Sequence, residues 1–404
     1  MVSTLKRLRV HTPLLRLRIA VHAVLVVVLG CACASGASAG VLPDDRADVL
    51  WHHYSGGGIS IDGPSVLIRK KVGDHVSVAV NHYEDNITGH VDTVSGASVD
   101  AVSGASTYRE KRTQNSLSVD LLHDKTTYSG GFINSVEPDY KARTAFASIS
   151  QDMFGDLTTV SFGFTRGWDR VGARGTTQSN PADRRNWQVG ITQILTRNLL
   201  AGLNYETSES EGTLNNPYRK VRFVDRNAAS GRGFGFENER YPHTRTGNAA
   251  SIQTKYFLPW RAAVTVSYRY YRDTWGIKAR TGELGLTQPV VRDWLADVHV
   301  RLYRQSRASF YSDLFGFAGA QNFLARDREL ASFKSTTLGI GLAREIHLGL
   351  WPRLQKITLN GRFDRMRINY SDYRNLSALG FTPGTEPLFT LNANVWQAFI
   401  SAWF

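Results

Sequence analysis

The stretch Ala262-Ala-Val-Thr-Val-Ser-Tyr-Arg-Tyr270 decides how the rest of the chain is read. Ala262, Val264, Val266, Tyr268 and Tyr270 share one parity, and Thr265, Ser267 and Arg269 the other. A period of two describes a strand with one apolar and one polar face. The pattern recurs along the chain. Trp294, Ala296, Val298, Val300 and Leu302 alternate with Asp297, His299 and Arg301, and Thr336, Leu338, Ile340 and Leu342 with Ser335, Thr337, Gly339 and Gly341. Leu117, Val119 and Leu121, Val160, Phe162 and Phe164, and Trp187, Val189 and Ile191 repeat it on a smaller scale.

Alternation alone also fits a soluble sandwich, so the connections decide. Short ones fall at 123–125, 154–156, 195–198, 258–260, 305–307 and 347–353, and long ones at 85–112, 171–185, 208–247, 274–291, 319–331 and 372–387. Short turns at one rim and long loops at the other are the signature of a transmembrane barrel. The predicted strands are 48–56, 62–71, 75–84, 113–123, 126–135, 140–152, 157–170, 186–196, 199–208, 248–258, 261–273, 292–304, 308–318, 332–346, 354–371 and 388–404. The expected fold is all-β: a transmembrane antiparallel β-barrel of about sixteen strands with short periplasmic turns and long outer loops.

Composition agrees once it is divided. The 404 residues are 42% hydrophobic, with 36 Gly, 19 Phe, 16 Tyr and 9 Trp. Their mean hydropathy of −0.27 excludes a bundle of membrane helices but not a barrel, half of whose strand residues face a polar lumen. The formal charge of +13 would suggest nucleic acid, yet Lys6, Arg7, Arg9, Arg16 and Arg18 precede an apolar run, Ile19 to Leu29, and Ala37-Ser-Ala39. Basic, apolar and A-x-A segments in that order describe a secretory signal peptide over 1–39, with the barrel domain over 40–404. Val28-Leu-Gly-Cys31 offers a weaker lipoprotein alternative. Cleavage removes those five cations and both cysteines, leaving 43 basic against 35 acidic residues and no thiol for a disulfide or metal site. No nucleic-acid partner is expected. The last strand ends on Phe404, with Ala402, Ile400, Ala398 and Trp396 on its parity, as in the signal read by the barrel assembly machinery.

The most unusual local sequence is a tandem: Asp92-Thr-Val-Ser-Gly-Ala-Ser98, then Asp100-Ala-Val-Ser-Gly-Ala-Ser106. It resembles the flavinylation motif of exported flavoproteins, in which an FMN transferase esterifies the last hydroxyl. That resemblance makes Ser98 and Ser106 the acceptors of covalent FMN, with Asp92 and Asp100 as accessory residues and a periplasmic transferase as partner. A duplicated Ser/Gly/Ala turn is the plainer alternative. His52-His53 lacks a third ligand at useful spacing and reads as a rim pair rather than a metal site. Gly231-Arg-Gly-Phe-Gly235 opens no helix and is no nucleotide cradle. The expected lumen set is Arg269, Asp297, His299 and Arg301, joined by some of Arg362, Arg365 and Arg367 and by Asp120, Asp293 and Asp364. A positive lumen would draw anions, whereas Arg–Asp pairing would neutralise it. The apolar parity changes after Phe363, which predicts a bulge there.

Several segments together resemble a family of proteobacterial outer-membrane proteins known as domain of unknown function 3570. They are Gly56-Gly-Gly-Ile-Ser-Ile-Asp-Gly-Pro-Ser-Val-Leu67, the tandem, Tyr108-Arg-Glu110, Glu137-Pro-Asp-Tyr140 and Gln151-Asp-Met-Phe-Gly-Asp-Leu-Thr-Thr159. The resemblance implies an outer-membrane barrel in contact with lipid, and a genomic neighbourhood with a small lipoprotein and an FMN transferase. It supplies no substrate. Three functions stay open: a pore or transport component, a flavin-bearing electron-transfer protein, and a hydrolase on the barrel wall.

Overall fold

The computed structural model describes residues 40–94, 97–100, 106–172, 179–228, 231–347 and 354–404. The expected leader, 1–39, lies outside them. The first strands are β1 (Arg46–Gly56), β2 (Ile59–Val72), β3 (Val76–Val94), β4 (Ala97–Asp100), β5 (Ser106–His123) and β6 (Thr126–Val136). There follow β7 (Tyr140–Met153), β8 (Thr158–Gly172), β9 (Ser179–Thr196), β10 (Leu199–Gly212), β11 (Lys220–Val224), β12 (Phe234–Asn238) and β13 (Thr244–Phe257). The last are β14 (Ala263–Asp273), β15 (Lys278–Pro289), β16 (Trp294–Gln305), β17 (Phe333–His347), β18 (Lys356–Arg374) and β19 (Leu388–Trp403).

Sixteen of these pair antiparallel with their neighbours in order, and β1 pairs with β19 from Arg46↔Trp403 to Gly56↔Ala393, so the sheet closes on itself. Closure leaves no edge strand, so the ladder groups of the wall pair with neighbouring strands on both sides. Short β4 extends only β3, and β11 and β12 form a separate hairpin.

Each barrel strand exposes large apolar side chains, from Val49 on β1 through Leu117, Leu203 and Val298 to Ile340 on β17 and Ile400 on β19. Water would oppose such a continuous outer belt, and a bilayer favours it; the chain is a transmembrane β-barrel. Its polar parity turns inward, as alternation requires. At one rim the turns are short, as at Gly73–His75, Asp124–Lys125 and Arg197–Asn198. At the other rim run the three long connections, 213–243, 306–332 and 375–387.

The expected topology needs one exchange, and the expected long loops 85–112 and 171–185 are largely strand, because β3 continues to Val94, β5 begins at Ser106, β8 continues to Gly172 and β9 begins at Ser179. Residues 278–289, expected in a loop, form β15, while 308–318, expected as a strand, belong to a long loop. On β15 the outward parity reads Lys278, Arg280, Gly282, Leu284 and Leu286, so only its lower half carries an apolar signal. In 308–318 the aromatics Phe310, Tyr311 and Phe315 are buried, but in a loop core and not a strand face. The short turn expected at 305–307 is instead the end of β16 at Gln305 and the start of a long loop at 306.

The bulge expected after Phe363 is absent. The β17–β18 register runs unbroken from Phe333↔Tyr370 to His347↔Lys356. What changes is the neighbour: Leu359 and Phe363 point outward, while Met366, Ile368 and Tyr370 point inward at the core cluster of the long-loop half. The parity switch in the sequence marks the height at which the barrel interior turns from polar to apolar.

Candidate functional site

The long-loop half is plugged by its own connections. Tyr241, Phe310, Tyr311, Ala325 and Leu330 from the long loops pack with Trp275 of a short turn. Together they press on Tyr54, Ile59, Ile61, Ile87, Tyr370 and Leu391 of the wall. Trp275, Tyr241 and Phe310 meet edge-to-face or tilted at 5.1–5.5 Å, a favourable geometry for ring quadrupoles. Bridges Phe223↔Phe315 and Arg240↔Leu324 stitch two of the loops together. The hairpin β11–β12 contains the glycine-rich segment after Gly231, and its Gly235 sits under the Phe223 ring.

One ionic node holds all three loops. Arg222, fully buried on β11, donates from Nη1 to Glu386 Oε1 at 2.5 Å and from Nη2 to Glu386 Oε2 at 3.1 Å. Its Nε donates to the Asp313 carbonyl at 2.9 Å, and Nη2 also pairs with the Asp313 carboxylate. Arg222, Asp313 and Glu386 come from loops 213–243, 306–332 and 375–387 respectively. Arg326 approaches Asp313 Oδ1 at 2.9 Å, lies 4.4 Å over the Tyr373 ring and donates to the Arg374 carbonyl at 2.8 Å. Burial alone would raise the Asp313 carboxyl, but the Arg326 and Arg222 cations hold it below its ordinary value. Burial raises Glu386 too, and the Arg222 hydrogen bond again outweighs it.

A second buried group sits beside the first. Tyr241 donates to Glu239 Oε2 at 2.8 Å, the Arg326 backbone N–H donates to Glu239 Oε1 at 2.7 Å, and Arg219 pairs with Asp327. Burial, with the Asp327 charge nearby, pushes Glu239 up to about 7, and the same causes push Glu329 up to about 8.

Below this plug the lumen is polar, and the expected residues divide. Asp297 and His299 meet Asp364 and Arg362: His299 Nε2 lies 3.1 Å from Asp364 Oδ1 and 3.0 Å from Arg362 Nη2, and His299 Nδ1 lies 3.7 Å from Asp297. Arg362 Nε donates to Asp364 Oδ2 at 3.1 Å. Gly339 makes room, since a Cβ there would fall 1.9 Å from His299 Cε1 and 2.1 Å from Asp364 Oδ1. Arg269 points elsewhere, to Glu206 at 3.0 Å, and Arg301 lies over Tyr303 at 5.8 Å. Asp120 pairs with Arg69 across the inner wall. Asp293 lies exposed in a short turn, outside the lumen where it was expected, and Arg365 and Arg367 face outward.

His52 is not a rim residue. It is buried in the wall, 2.8 Å from Asp85 and 3.1 Å from the Tyr83 hydroxyl, with Arg112 Nη1 3.5 Å from Asp85. His53 faces outward, stacked on Trp51 at 5.8 Å. His52 and Asp85 alternate correctly for inward positions, yet their pairing across β2 is a register fact that no spacing records. The tandem lies on the β3–β5 connection, where backbone pairing sets Asp92 opposite Asp100, Thr93 opposite Ser98, and Val91 opposite Ser106. The side chains of Asp92, Ser98, Asp100 and Ser106 lie outside the described residues. Among the described residues, no three His, Cys, Asp or Glu gather as a metal site.

Solved structures with similar architecture include a bacterial polysaccharide outer membrane secretin (TM-score 0.47, 8% identity, 90% of this chain and 100% of that chain). OmpT, an outer membrane protein of Vibrio cholerae, is similar at TM-score 0.40 and 10% identity over 89% of this chain and 98% of its own. OccK2 (OpdF) of Pseudomonas aeruginosa, solved with glucuronate, follows at TM-score 0.37 and 10% identity over 90% and 99%. No curated protein matches the sequence. The family model described as protein of unknown function (DUF3570) matches residues 16–186 and 176–392, and the chain belongs to that family.

Proposed function

We propose that the protein is an outer-membrane conduit for small polar solutes whose outer mouth is closed by a displaceable plug. The short-turn rim then faces the periplasm and the long-loop rim faces outward. The observation that carries the reading is the Arg222–Asp313–Glu386 node, a buried ionic centre to which each of the three long loops contributes a charged side chain. A plug needed only for wall stability could be built from apolar contacts, because a buried ion pair costs about as much in desolvation as it returns. Ionic pairing, by contrast, can be lost and remade in one step. Beneath it the lumen carries mixed charge, Arg362 against Asp297 and Asp364 with His299 between them, which suits polar solutes of either sign more than a dedicated anion path.

Planar-bilayer recordings test this. Wild-type protein is expected to show small or rare current steps, and Arg222→Met long, large ones. A wild type as conductive as Arg222→Met would remove the gate, and silence in both would remove the conduit.

A further inference from the structure

On the outside of the long-loop rim, the charged residues described on five consecutive strands are all basic. Arg272 on β14, Lys278 and Arg280 on β15, Arg304 on β16, Lys334 on β17, and Arg365 and Arg367 on β18 are all exposed on the outward parity. They sit directly above the apolar belt, next to Tyr270, Leu302 and Leu338 on the same face. The ladder sets like charges opposite one another: Arg272↔Lys278, Arg280↔Arg304 and Arg304↔Lys334. Side chains directly opposite in an antiparallel pair have Cβ atoms only about 5 Å apart, and like charges there destabilise the sheet. Among the described residues, no acidic side chain shares this outward face of β14–β18. On the other side of the rim the outward charges are of both signs: Lys141↔Arg170 and Arg166↔Arg185 also set like charges opposite one another, but Lys111 is matched by Glu84 at 2.7 Å and Arg185 by Glu209 at 3.8 Å.

We propose that the β14–β18 arc is a docking surface for the phosphates of an anionic, phosphate-bearing lipid in the outer leaflet. The inference rests on the outer-membrane reading above. Height selects a lipid over a soluble anion, because the cations lie where the belt ends and headgroups begin, with Tyr270 at that boundary. Charge selects phosphate over a zwitterionic headgroup. Arginine's planar fork grips phosphate oxygens in pairs, and a multiply charged ligand bridging Arg280, Arg304 and Lys334 removes their mutual repulsion.

The test uses mature full-length protein in zwitterionic nanodiscs with bis-phosphorylated lipid A as probe and its dephosphorylated form as comparison. Binding is read by native mass spectrometry. Wild type is expected to retain the phosphorylated lipid at least tenfold more tightly than the dephosphorylated one. The combined variant Lys278→Gln, Arg280→Gln, Arg304→Gln and Lys334→Gln should lose that preference, while Lys111→Gln with Arg185→Gln keeps it. No preference in wild type, or the same loss in both variants, overturns the proposal. Heat-modifiable gel migration is read in parallel: a wild type that never enters the nanodisc overturns the membrane reading instead.

Discussion

The two halves of this barrel share every strand but reverse its chemistry. Toward the short turns the wall is apolar outside and polar inside, and its inward charges meet around a lumen at His299, Asp364 and half-buried Arg362. Toward the long loops the inner face becomes Tyr54, Ile61, Ile87, Ile368 and Leu391, and the charge moves into a buried node and onto the outer rim. A strand can do this because each face is set residue by residue, with no change of register. The lesson is that one barrel wall can be a polar channel at one height and half of a globular core at another.

The sharpest break in the comparison should come from the two arginine centres. Removing one partner from a buried pair strands the other charges, at about 3–5 kcal/mol. Arg222→Met is therefore expected to destabilise the plug by that order, read as faster proteolysis within 213–243 and a lower unfolding midpoint. Arg362→Met removes a partner that lumen water can replace, and should cost about 1 kcal/mol or less. Equal losses would mean that the halves do not differ in solvation.

The sequence displayed the lower half well and the upper half badly, for one physical reason. Where lipid is outside and water inside, alternation is the whole signal, and Val264, Val266 and Tyr268 on β14 announce it. In the upper half the inner face packs on loops, so apolar residues appear on both parities or on the wrong one. That is why Met366 and Ile368 resembled a bulge, why β15 with Lys278 and Arg280 resembled a loop, and why 308–318 resembled a strand. Of the candidate sites, Asp297 and His299 were visible as inward polar positions. The Arg222 node was not, since its members are 91 and 164 residues apart and lie in loops without periodicity.

The outer belt gives the next largest effect. Ile340 lies mid-strand on β17, 58% exposed to what the fold makes lipid. A cation near the bilayer midplane costs a barrel about 2–4 kcal/mol, falling toward the interfaces. Ile340→Arg should lower the unfolding free energy in lipid vesicles by that amount, and Thr336→Arg, beside Lys334 at the basic rim, by much less. Similar losses at both positions would contradict the assigned height of the belt.

Inside the lower half, Gly339→Ala should cost less, about 1–3 kcal/mol, as overpacking usually does. The added methyl must displace His299 and Asp364, so conductance and ion preference should change while the plug keeps its protease resistance. A change in loop cleavage instead would show that the two halves are mechanically coupled.

The smallest effect tests the plug by pH alone. Glu239 and Glu329 are raised in the folded plug from 4.5 to about 7 and about 8, so the folded state holds protons that the open one releases. Their contribution is fully present below pH 4.5 and is lost as pH rises through 7 and then 8. Asp313 and Glu386 act oppositely: their carboxyls are lowered, so their contribution is present above the ordinary carboxylate range and is lost as pH falls below it. The plug should therefore hold best in mildly acidic solution and loosen toward pH 8, read as a rising cleavage rate of the 213–243 loop. Glu239 faces Asp327, Arg219 and the Tyr241 hydroxyl, so Glu239→Gln, which keeps the Tyr241 hydrogen bond without a charge, should remove most of the change near pH 7 and spare the one near pH 8. A cleavage rate that is flat from pH 5 to 9, or a slope untouched by Glu239→Gln, would leave the loops held by the arginine node and apolar packing alone.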